Sequence, residues 1–197
     1  RFWWEIQHIY LIESNKKWIL YAKGGPFIKW YGNLWTTVNW EDNGYDIKNF
    51  TDDKGKQKSR PQNEAVYFKK GITYSARGSK GATFRLLPAG CIFDVAGSSI
   101  FPIKEYQNHE YTMAFFNSNL SKYILECLNP TVNKQVGDID RIPFVLPKIN
   151  EELKVTELTK INIEIKRYLC KFSVLEIDFE ISPIYNIDTG DLKQRLL

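Results

Sequence analysis

The sequence is poor in metal-binding and disulfide-forming residues. Its 197 residues include two histidines, His8 and His109, and three cysteines, with no Cys-x-x-Cys pair. Zinc sites draw on closely spaced ligand pairs, so neither a zinc site nor a disulfide framework is expected. We expect Cys91, Cys127 and Cys170 to be reduced, mostly buried thiols of a cytoplasmic protein.

Long apolar runs are also absent. No stretch reaches the roughly 18 apolar residues of a membrane-spanning helix. The first ten residues lack the charged, apolar and small-residue regions of a secretory signal. The sequence starts at Arg1 without a methionine and continues directly into apolar residues. We therefore expect a cytoplasmic part of a longer polypeptide, with no membrane partner.

Catalytic motifs are missing as well. Asn129-Pro130 lacks the second proline and the aromatic residue with which amino-methyltransferases hold their target amine. No G-x-G-x-x-G motif or Walker A lysine occurs, and Gly97-Ser98-Ser99 lacks the spacing of a nucleophile elbow. Glu176-Ile177-Asp178 lacks the lysine of a PD…E-x-K nuclease site. The sequence thus predicts no catalytic residue and no metal site in this chain.

What the sequence does contain is a series of short segments rich in aromatic and β-branched residues, separated by glycines. These segments are residues 66–70, 72–76, 82–87, 91–94 and 98–101. Such runs bounded by glycine turns are typical of strands. They predict an α+β fold, in which a twisted, mainly antiparallel sheet with projecting loops packs with a few helices.

One loop between two predicted strands is polar and cationic, with the sequence Arg77-Gly78-Ser79-Lys80-Gly81. A cationic tip on a stiff sheet can reach into a nucleic-acid groove while the sheet fixes its position. For this loop alone, the alternative is an ordinary basic hairpin.

Positive charge is concentrated around this loop. Residues 54–85 hold nine basic residues and one acidic residue, a net charge of +8, whereas the whole chain carries +4 and the remainder therefore −4. The nine are Lys54, Lys56, Lys58, Arg60, Lys69, Lys70, Arg77, Lys80 and Arg85. This concentration favours a polyanionic partner, and the alternative is a solvated charged face.

Outside the strand region the pattern is helical or irregular. Residues 41–63 predict a long surface loop, with a possible short helix over 46–50. Residues 111–116 and 120–128 predict two short helices, the second capped by Ser118 or Asn119. Residues 131–142 predict a loop and a short strand.

A longer amphipathic helix is predicted over residues 151–172. Its apolar stripe comprises Leu158, Ile161, Ile165, Tyr168, Leu169 and Phe172. Such a stripe usually covers the core of its own domain, although it can also pack on a neighbouring domain. The tail, residues 173–197, has no clear fold of its own.

Many short motifs in order resemble one family. They are YAKGG (21–25), KWYGN (29–33), VNW (38–40), GITYS (71–75), LPAGCIFD (87–94), GSSIF (97–101), FNS (116–118), LNPT (128–131) and QVGDI (135–139). Together they resemble the C-terminal part of PglX-type adenine-N6 DNA methyltransferases of BREX phage-defence systems. They are also similar to target-recognition domains of type I specificity subunits and of type IIG/IIL restriction–modification enzymes.

The resemblance implies a division of labour. Residues 1–147 would be a target-recognition domain for double-stranded DNA, and residues 148–197 a spacer helix and tail. The methyltransferase domain, which would bind S-adenosylmethionine, would lie upstream in the same polypeptide. This chain itself would bind no cofactor.

Roles for individual residues follow as hypotheses. The candidates for reading base edges are Arg60, Tyr74, Arg77, Ser79 and Lys80, because arginine can bridge guanine O6 and N7. The candidates for phosphate contacts are Lys54, Lys56, Lys58 and Lys69. For each residue the alternative is an ordinary exposed cation or polar group.

A different class of function also fits the sequence. The chain could be a protein-interaction module that docks another defence subunit or a phage anti-defence protein. A DNA-mimicking inhibitor would bind the same basic surface through acidic groups. Salt-sensitive binding to duplex DNA would distinguish the first function from the second.

Overall fold

The structure is a computed structural model that describes residues 1–6, 17–78, 80–103 and 108–182. These residues form an α+β fold, as predicted. The strands β1 to β6 are Trp18–Ala22, Thr37–Asn39, Gly71–Tyr74, Phe84–Leu87, Ile92–Phe93 and Ser99–Ile100. The helices α1 to α5 are Glu41–Lys48, His109–Asn117, Asn119–Leu128, Val136–Asp140 and Ile149–Cys170.

The described strands form two sheets of three strands, where the sequence predicted one sheet. In the first sheet, β1 is central, antiparallel to β2 and parallel to β5. In the second, β3 is central and antiparallel to both β4 and β6. The strand predicted at 66–70 is wrong, because Phe68 has a φ of +65°, which an extended strand does not allow. The mainly antiparallel character is confirmed.

The turn between β5 and β6, residues 94–97, connects the two sheets. The Asp94 carboxylate accepts hydrogen bonds from the N–H groups of Ala96 (2.8 Å) and Gly97 (3.0 Å). On one side, the Asp94 N–H donates to the carbonyl oxygen of Ala22 in β1 (3.4 Å). On the other side, the Thr73 hydroxyl in β3 donates to the carbonyl oxygen of Gly97 (2.9 Å). The turn is therefore bonded to the central strand of each sheet.

The largest core cluster combines strand and helix residues. Its buried members include Tyr31, Leu34, Ile72, Tyr74, Phe84, Met113, Leu125 and Ile163. Asn117, the last residue of α2, is buried within it. Its side-chain oxygen accepts from the Phe84 N–H (3.1 Å) and its side-chain nitrogen donates to the Phe84 carbonyl oxygen (2.8 Å). This two-point contact attaches α2 to the edge strand β4.

The short helices largely match the sequence. Ser118 caps α3 by accepting a hydrogen bond from the Ser121 N–H (3.1 Å), as predicted. The strand predicted within 131–142 is wrong, because α4 occupies part of that segment. None of the helices in the described part of the chain is long and apolar enough to cross a membrane.

The region predicted as a long loop begins with α1. This helical segment starts earlier than the possible helix at 46–50, and its first turn is irregular. Asp42, Asn43 and Gly44 have φ values of 50°, 57° and 75°, all in the left-handed region. Asparagine, aspartate and glycine tolerate that region best, so the segment follows its local composition. A loop without helix or strand continues from residue 49 to residue 63.

The cysteines match the prediction of mostly buried thiols. Cys91 and Cys170 are buried, Cys127 is exposed, and all three are free. Burial raises the pKa of the Cys91 thiol to about 12, so this group stays protonated at neutral pH.

The long helix α5 confirms the predicted helix but turns a different face to the protein. It packs against α2, and its buried residues are Thr159, Ile163 and Cys170. Five residues of the predicted apolar stripe are instead 49–61% exposed: Leu158, Ile161, Ile165, Tyr168 and Leu169. The prediction that this stripe covers the chain's own core is therefore wrong. We call these five residues the α5 stripe.

The segment after α5 returns to the beginning of the chain. Glu176 is buried, and its carboxylate accepts hydrogen bonds from the N–H groups of Asn33 (2.9 Å) and Leu34 (3.0 Å). The Trp3 indole N–H donates to the carbonyl oxygen of Leu175 (2.9 Å). Residues 173–182 thus pack on the N-terminal region, where the sequence predicted no clear fold. The boundary between residues 147 and 148 stays a prediction, as does any structure of residues 183–197, which lie outside the described residues.

Glu176→Ala should lower the free energy of unfolding by about 2–4 kcal/mol, because two buried N–H groups lose a charged acceptor. Urea denaturation measures the change. The control is Glu180→Ala, which removes an exposed ion pair with Lys171 (2.7 Å) and should cost less than about 1 kcal/mol. Equal losses in the two variants would contradict a structural role for Glu176.

Candidate nucleic-acid interface

The cationic loop predicted from the sequence lies at the tip of the β3–β4 hairpin. Arg77 and Lys80 are exposed on this tip, and Ser79 lies outside the described residues. The Gly78 N–H donates to the carbonyl oxygen of Val132 (3.0 Å), and the Lys134 N–H donates to that of Ala76 (2.7 Å). The tip is therefore held on both sides of Arg77 by the segment that leads into α4.

Two clefts meet beside this tip. One has a volume of about 340 Å³ and includes Arg60 in its wall, and the other has a volume of about 450 Å³ and includes Arg77. The residues common to both walls are Asp94, Val95, Ser98 and Val136. We call the two joined clefts the Arg60–Arg77 groove. Folding thus brings two of the predicted base-reading residues to one surface, although they belong to different loops.

The Arg60 side of the groove has an aromatic wall. Trp40 and Tyr67 meet edge to face, with ring centroids 5.4 Å apart, and Phe93 packs on Tyr67 in the same way at 5.4 Å. The Tyr21 hydroxyl donates to the Asp94 carboxylate (2.9 Å). Burial and this neighbouring carboxylate raise the pKa of Tyr21, so it remains a neutral donor at physiological pH.

The ridge shared by the two clefts is built from the turn at residues 94–97. The Asp94 carboxylate is fully engaged, because it accepts from Tyr21 and from two backbone N–H groups of the turn. This arrangement projects Val95 into solvent, where it is 77% exposed. Val136, across the ridge, is exposed too.

Two glycines allow the ridge to approach β1. A Cβ atom at Gly97 would lie 2.3 Å from the Ala22 carbonyl oxygen, and one at Gly24 would lie 2.6 Å from that of Ala96. Both distances are too short for any side chain. Backbone therefore packs directly on backbone at this point, which fixes the position of Val95.

Sequence reasoning missed the exposed valines. Val95, Val132 and Val136 all lie next to the groove or the hairpin tip, and each is exposed. Apolar side chains of this kind contact the methyl group of thymine in protein–DNA complexes. The only available signal was the Asp94-Val95-Ala96-Gly97 turn, in which the aspartate side chain orders the backbone and leaves the valine exposed.

The four phosphate candidates lie outside the groove wall. Lys54 and Lys56 are exposed on a turn in which the Asp52 carboxylate accepts both of their backbone N–H groups. Lys58 forms an ion pair with the same carboxylate (3.1 Å), and Lys69 is exposed. The described contacts do not bring these lysines next to Arg77, and their contact with phosphates stays a prediction.

Tyr74 needs a correction. It is 1% exposed and packs on Phe84, with ring centroids 5.3 Å apart. A side chain at this position has no access to a base edge, so the prediction for Tyr74 is wrong. Its strand is buried on both faces, which the alternating sequence pattern does not indicate.

The charge argument also needs a correction, because three of the nine basic residues are not free surface cations. Arg85 is 1% exposed, Lys70 forms an ion pair with Glu110 (2.8 Å), and Lys58 is paired as described above. Within the described residues, the exposed members without an ion-pair partner are Lys54, Lys56, Arg60, Lys69, Arg77 and Lys80. The basic character of the segment remains but is weaker than its sequence suggests.

Acidic and metal-binding side chains do not cluster in the described part of the chain. No group of three or more histidine, cysteine, aspartate or glutamate residues there is arranged to hold a metal ion.

Comparison with known proteins gives two informative similarities. The chain is 34% identical over 166 residues to the adenine-specific methyltransferase PglX of Lacticaseibacillus casei (strain Zhang), a match that covers 80% of this chain and 14% of that protein. It is 30% identical over 151 residues to the adenine-specific methyltransferase BrxX of Escherichia coli O9:H4 (strain HS), covering 75% of this chain and 12% of that protein. No protein-family model matches the sequence.

These similarities confirm the relation to PglX-type methyltransferases that the sequence motifs indicated, and they add BrxX as a second relative. The chain spans only about one seventh of the length of the relatives that it matches. The matched part has the fold described above.

Gly97→Ala should distort the ridge of the groove and lower the free energy of unfolding by about 1–3 kcal/mol, since its Cβ would overlap the Ala22 carbonyl. Thermal unfolding measures the loss. Gly137→Ala is the control, because nothing lies within 4 Å of its Cβ and it lies in α4, where alanine is favoured. A neutral Gly97→Ala variant would show that the ridge is not held by this contact.

Proposed function

We propose that this chain is the DNA-recognition region of an adenine-specific methyltransferase of the PglX and BrxX type, located in the C-terminal part of the polypeptide. It selects the double-stranded sequence to be methylated in BREX phage defence, in the cytoplasm. The observation that carries the proposal is the Arg60–Arg77 groove, in which two exposed arginines lie at the walls of joined clefts with exposed valines between them.

Arg77 is the principal base-reading residue in this proposal. The hairpin tip is held by hydrogen bonds to the segment at 132–134, so the guanidinium approaches the DNA from a fixed base. An arginine in the major groove can bridge O6 and N7 of guanine. Val95 and Val136 add contacts to thymine methyl groups next to that base pair. Arg60, and Lys80 on the same tip as Arg77, extend the surface that faces the bases.

The exposed lysines position the DNA without reading it. Lys54, Lys56 and Lys69 neutralise phosphates, and Lys58 joins them by exchanging its Asp52 partner for a phosphate. The catalytic domain, elsewhere in the polypeptide, binds S-adenosylmethionine and receives the target adenine. Methyltransferases that act on a base rotate it out of the duplex, so recognition and chemistry can occupy different domains.

A second candidate function is the docking of a protein, and the α5 stripe favours it. Five apolar side chains stand exposed along one side of a helix whose other side already packs on α2. We assign this stripe to the methyltransferase domain of the same polypeptide, because a shared surface would fix the recognition groove relative to the catalytic site. A phage inhibitor that mimics DNA would bind the cationic groove itself rather than this stripe.

Exchanging residues 50–105 between two related methyltransferases should exchange their methylated sequences, since this segment includes the hairpin tip, Arg60 and the ridge. Methylome sequencing of cells that carry each full-length chimera measures the outcome. If both chimeras are active and still methylate their original sequences, recognition resides elsewhere in the chain.

Arg77→Ala in the full-length protein should cost about 1–3 kcal/mol of discrimination at one base pair of the target. Lys56→Ala should weaken binding to all sequences alike. It should also reduce the slope of the logarithm of affinity against the logarithm of salt concentration by about one unit, the value for one lost phosphate contact. Fluorescence anisotropy with target and single-mismatch duplexes at several salt concentrations measures both effects. An Arg77→Ala variant that loses affinity equally for every duplex would refute the base-reading role.

The pair of changes Ile161→Lys and Ile165→Lys should increase amide hydrogen exchange across α5 in the full-length protein, because charges would enter the proposed contact with the methyltransferase domain. Leu153→Lys, an exposed position on α5 outside the stripe, is the control and should leave exchange unchanged. Equal amide hydrogen exchange across α5 in the wild type, the double variant and the control would mean that no domain covers the stripe.

A further inference from the structure

Two buried cations lie beside the Arg77 cleft, the larger part of the groove. Lys134 is 4% exposed and belongs to the cleft wall. Arg85 is 1% exposed, and its guanidinium donates to the Ser75 hydroxyl (3.1 Å), which is itself part of the wall. Neither cation has a carboxylate partner within ion-pair distance among the described residues.

Burying a cation without a directly paired carboxylate is unfavourable, and here the nearest negative charges, Glu176 for Arg85 and Asp138 for Lys134, act only from beyond ion-pair distance. The Lys134 ammonium donates to the Asn129 carbonyl oxygen, which leaves part of its donor capacity unused. The Arg85 Nε–H is buried without a hydrogen-bond partner. Burial lowers the pKa of Arg85 to about 10, still far above neutral pH, so its guanidinium carries its charge in the cell.

The remaining wall of the cleft adds positive charge and little negative charge. Lys23 and Arg77 stand at the exposed rim. Asp94 is the one acidic residue in the wall, and its carboxylate is occupied by Tyr21 and by the backbone of its own turn. An anion that enters the cleft would therefore meet three cations of the wall, Lys23, Arg77 and Lys134, with Arg85 buried behind Ser75.

The shape of the cleft suits a compact anion. Gly24 and Gly25 form part of the wall, and with no side chains they let a ligand approach the backbone closely. The Ser75 hydroxyl donates to the Gly25 carbonyl oxygen (3.1 Å) while accepting from Arg85, so it connects the buried guanidinium to the wall. The volume of about 450 Å³ leaves room for a phosphate group and its ester oxygens.

We propose that this cleft binds one phosphate group, with Lys134 as its main ligand, Lys23 and Arg77 at the rim, and Arg85 as a buried positioning charge. The assignment of that phosphate to the DNA backbone rests on the proposed function. Bound there, the phosphate would anchor the duplex at a fixed distance from the ridge and set the register in which the exposed valines meet the bases. No local sequence pattern indicates this role for Lys134 or Lys23.

The test is a double-mutant cycle on the full-length protein and duplex DNA that contains its methylated sequence. A series of duplexes each carries one neutral methylphosphonate in place of a backbone phosphate. In the wild-type protein, one position should stand out with a loss of about tenfold in affinity, and in Lys134→Met the same substitution should cost less than about twofold. Lys23→Met changes an exposed residue at the rim and so disturbs no buried group. It should likewise reduce the loss of affinity caused by the methylphosphonate at that position.

Lys160→Met on α5 is the control for loss of one positive charge, and it should leave the phosphate profile unchanged. A second measurement needs no DNA. Sodium phosphate should raise the unfolding temperature of the wild type and of Lys160→Met more than that of Lys134→Met, compared with sodium chloride at equal ionic strength.

Sequence-specific DNA binding with an identical phosphate profile in wild type and Lys134→Met would overturn this inference and leave the proposed function intact. Stabilisation by phosphate that depends on Lys134, in a protein without sequence-specific DNA binding, would support the cleft with a free phosphate compound as ligand and refute the proposed function. If the protein shows neither sequence-specific DNA binding nor stabilisation by phosphate that depends on Lys134, both the phosphate site and the proposed function are refuted.

Discussion

The structure depends on the close backbone contact between the turn at residues 94–97 and the central strands of the two sheets. Two glycines remove the side chains that would separate these segments, and the Asp94 carboxylate orders the turn from within. Each sheet has only three short strands, and a sheet of this size needs a packed apolar face to be stable. Bonding both central strands to one turn makes the two sheets a single support, and the groove runs over that support.

Much of the helical architecture can be predicted from the sequence because its signals are local. Ser118, whose side chain accepts a hydrogen bond from the Ser121 N–H, marks the start of α3. Apolar residues that recur at the helical spacing of three to four positions mark α5. The surface that packs against an apolar stripe, by contrast, is not encoded in the residues next to the stripe. In α5, the buried residues include Thr159 and Cys170, while more apolar residues face solvent. Periodicity gives the helix and its stripe, but not the partner.

The site shows the same division between local and long-range information. The hairpin tip with Arg77 follows from its glycines and charges, whereas its proximity to the Arg60 cleft depends on how the two sheets meet. The burial of Tyr74 and Arg85 depends on parts of the chain distant in sequence that cover both faces of β3 and most of β4, so the local pattern does not indicate it. Likewise, Lys70 and Glu110 are distant in sequence, so counting charges along the chain overestimated the free positive charge.

The hydrogen bond between Trp3 and Leu175 has a consequence for how such a unit can evolve. Trp3 contacts the segment after α5, and the buried Glu176 in that segment bonds to the backbone of Asn33 and Leu34, so an early and a late part of the described fold lie together. A block with adjoining ends can be inserted into, or traded between, larger proteins without altering the path of the flanking chain. Under the proposed function, exchange of such a block would change the DNA specificity in one step while the catalytic domain stays unchanged.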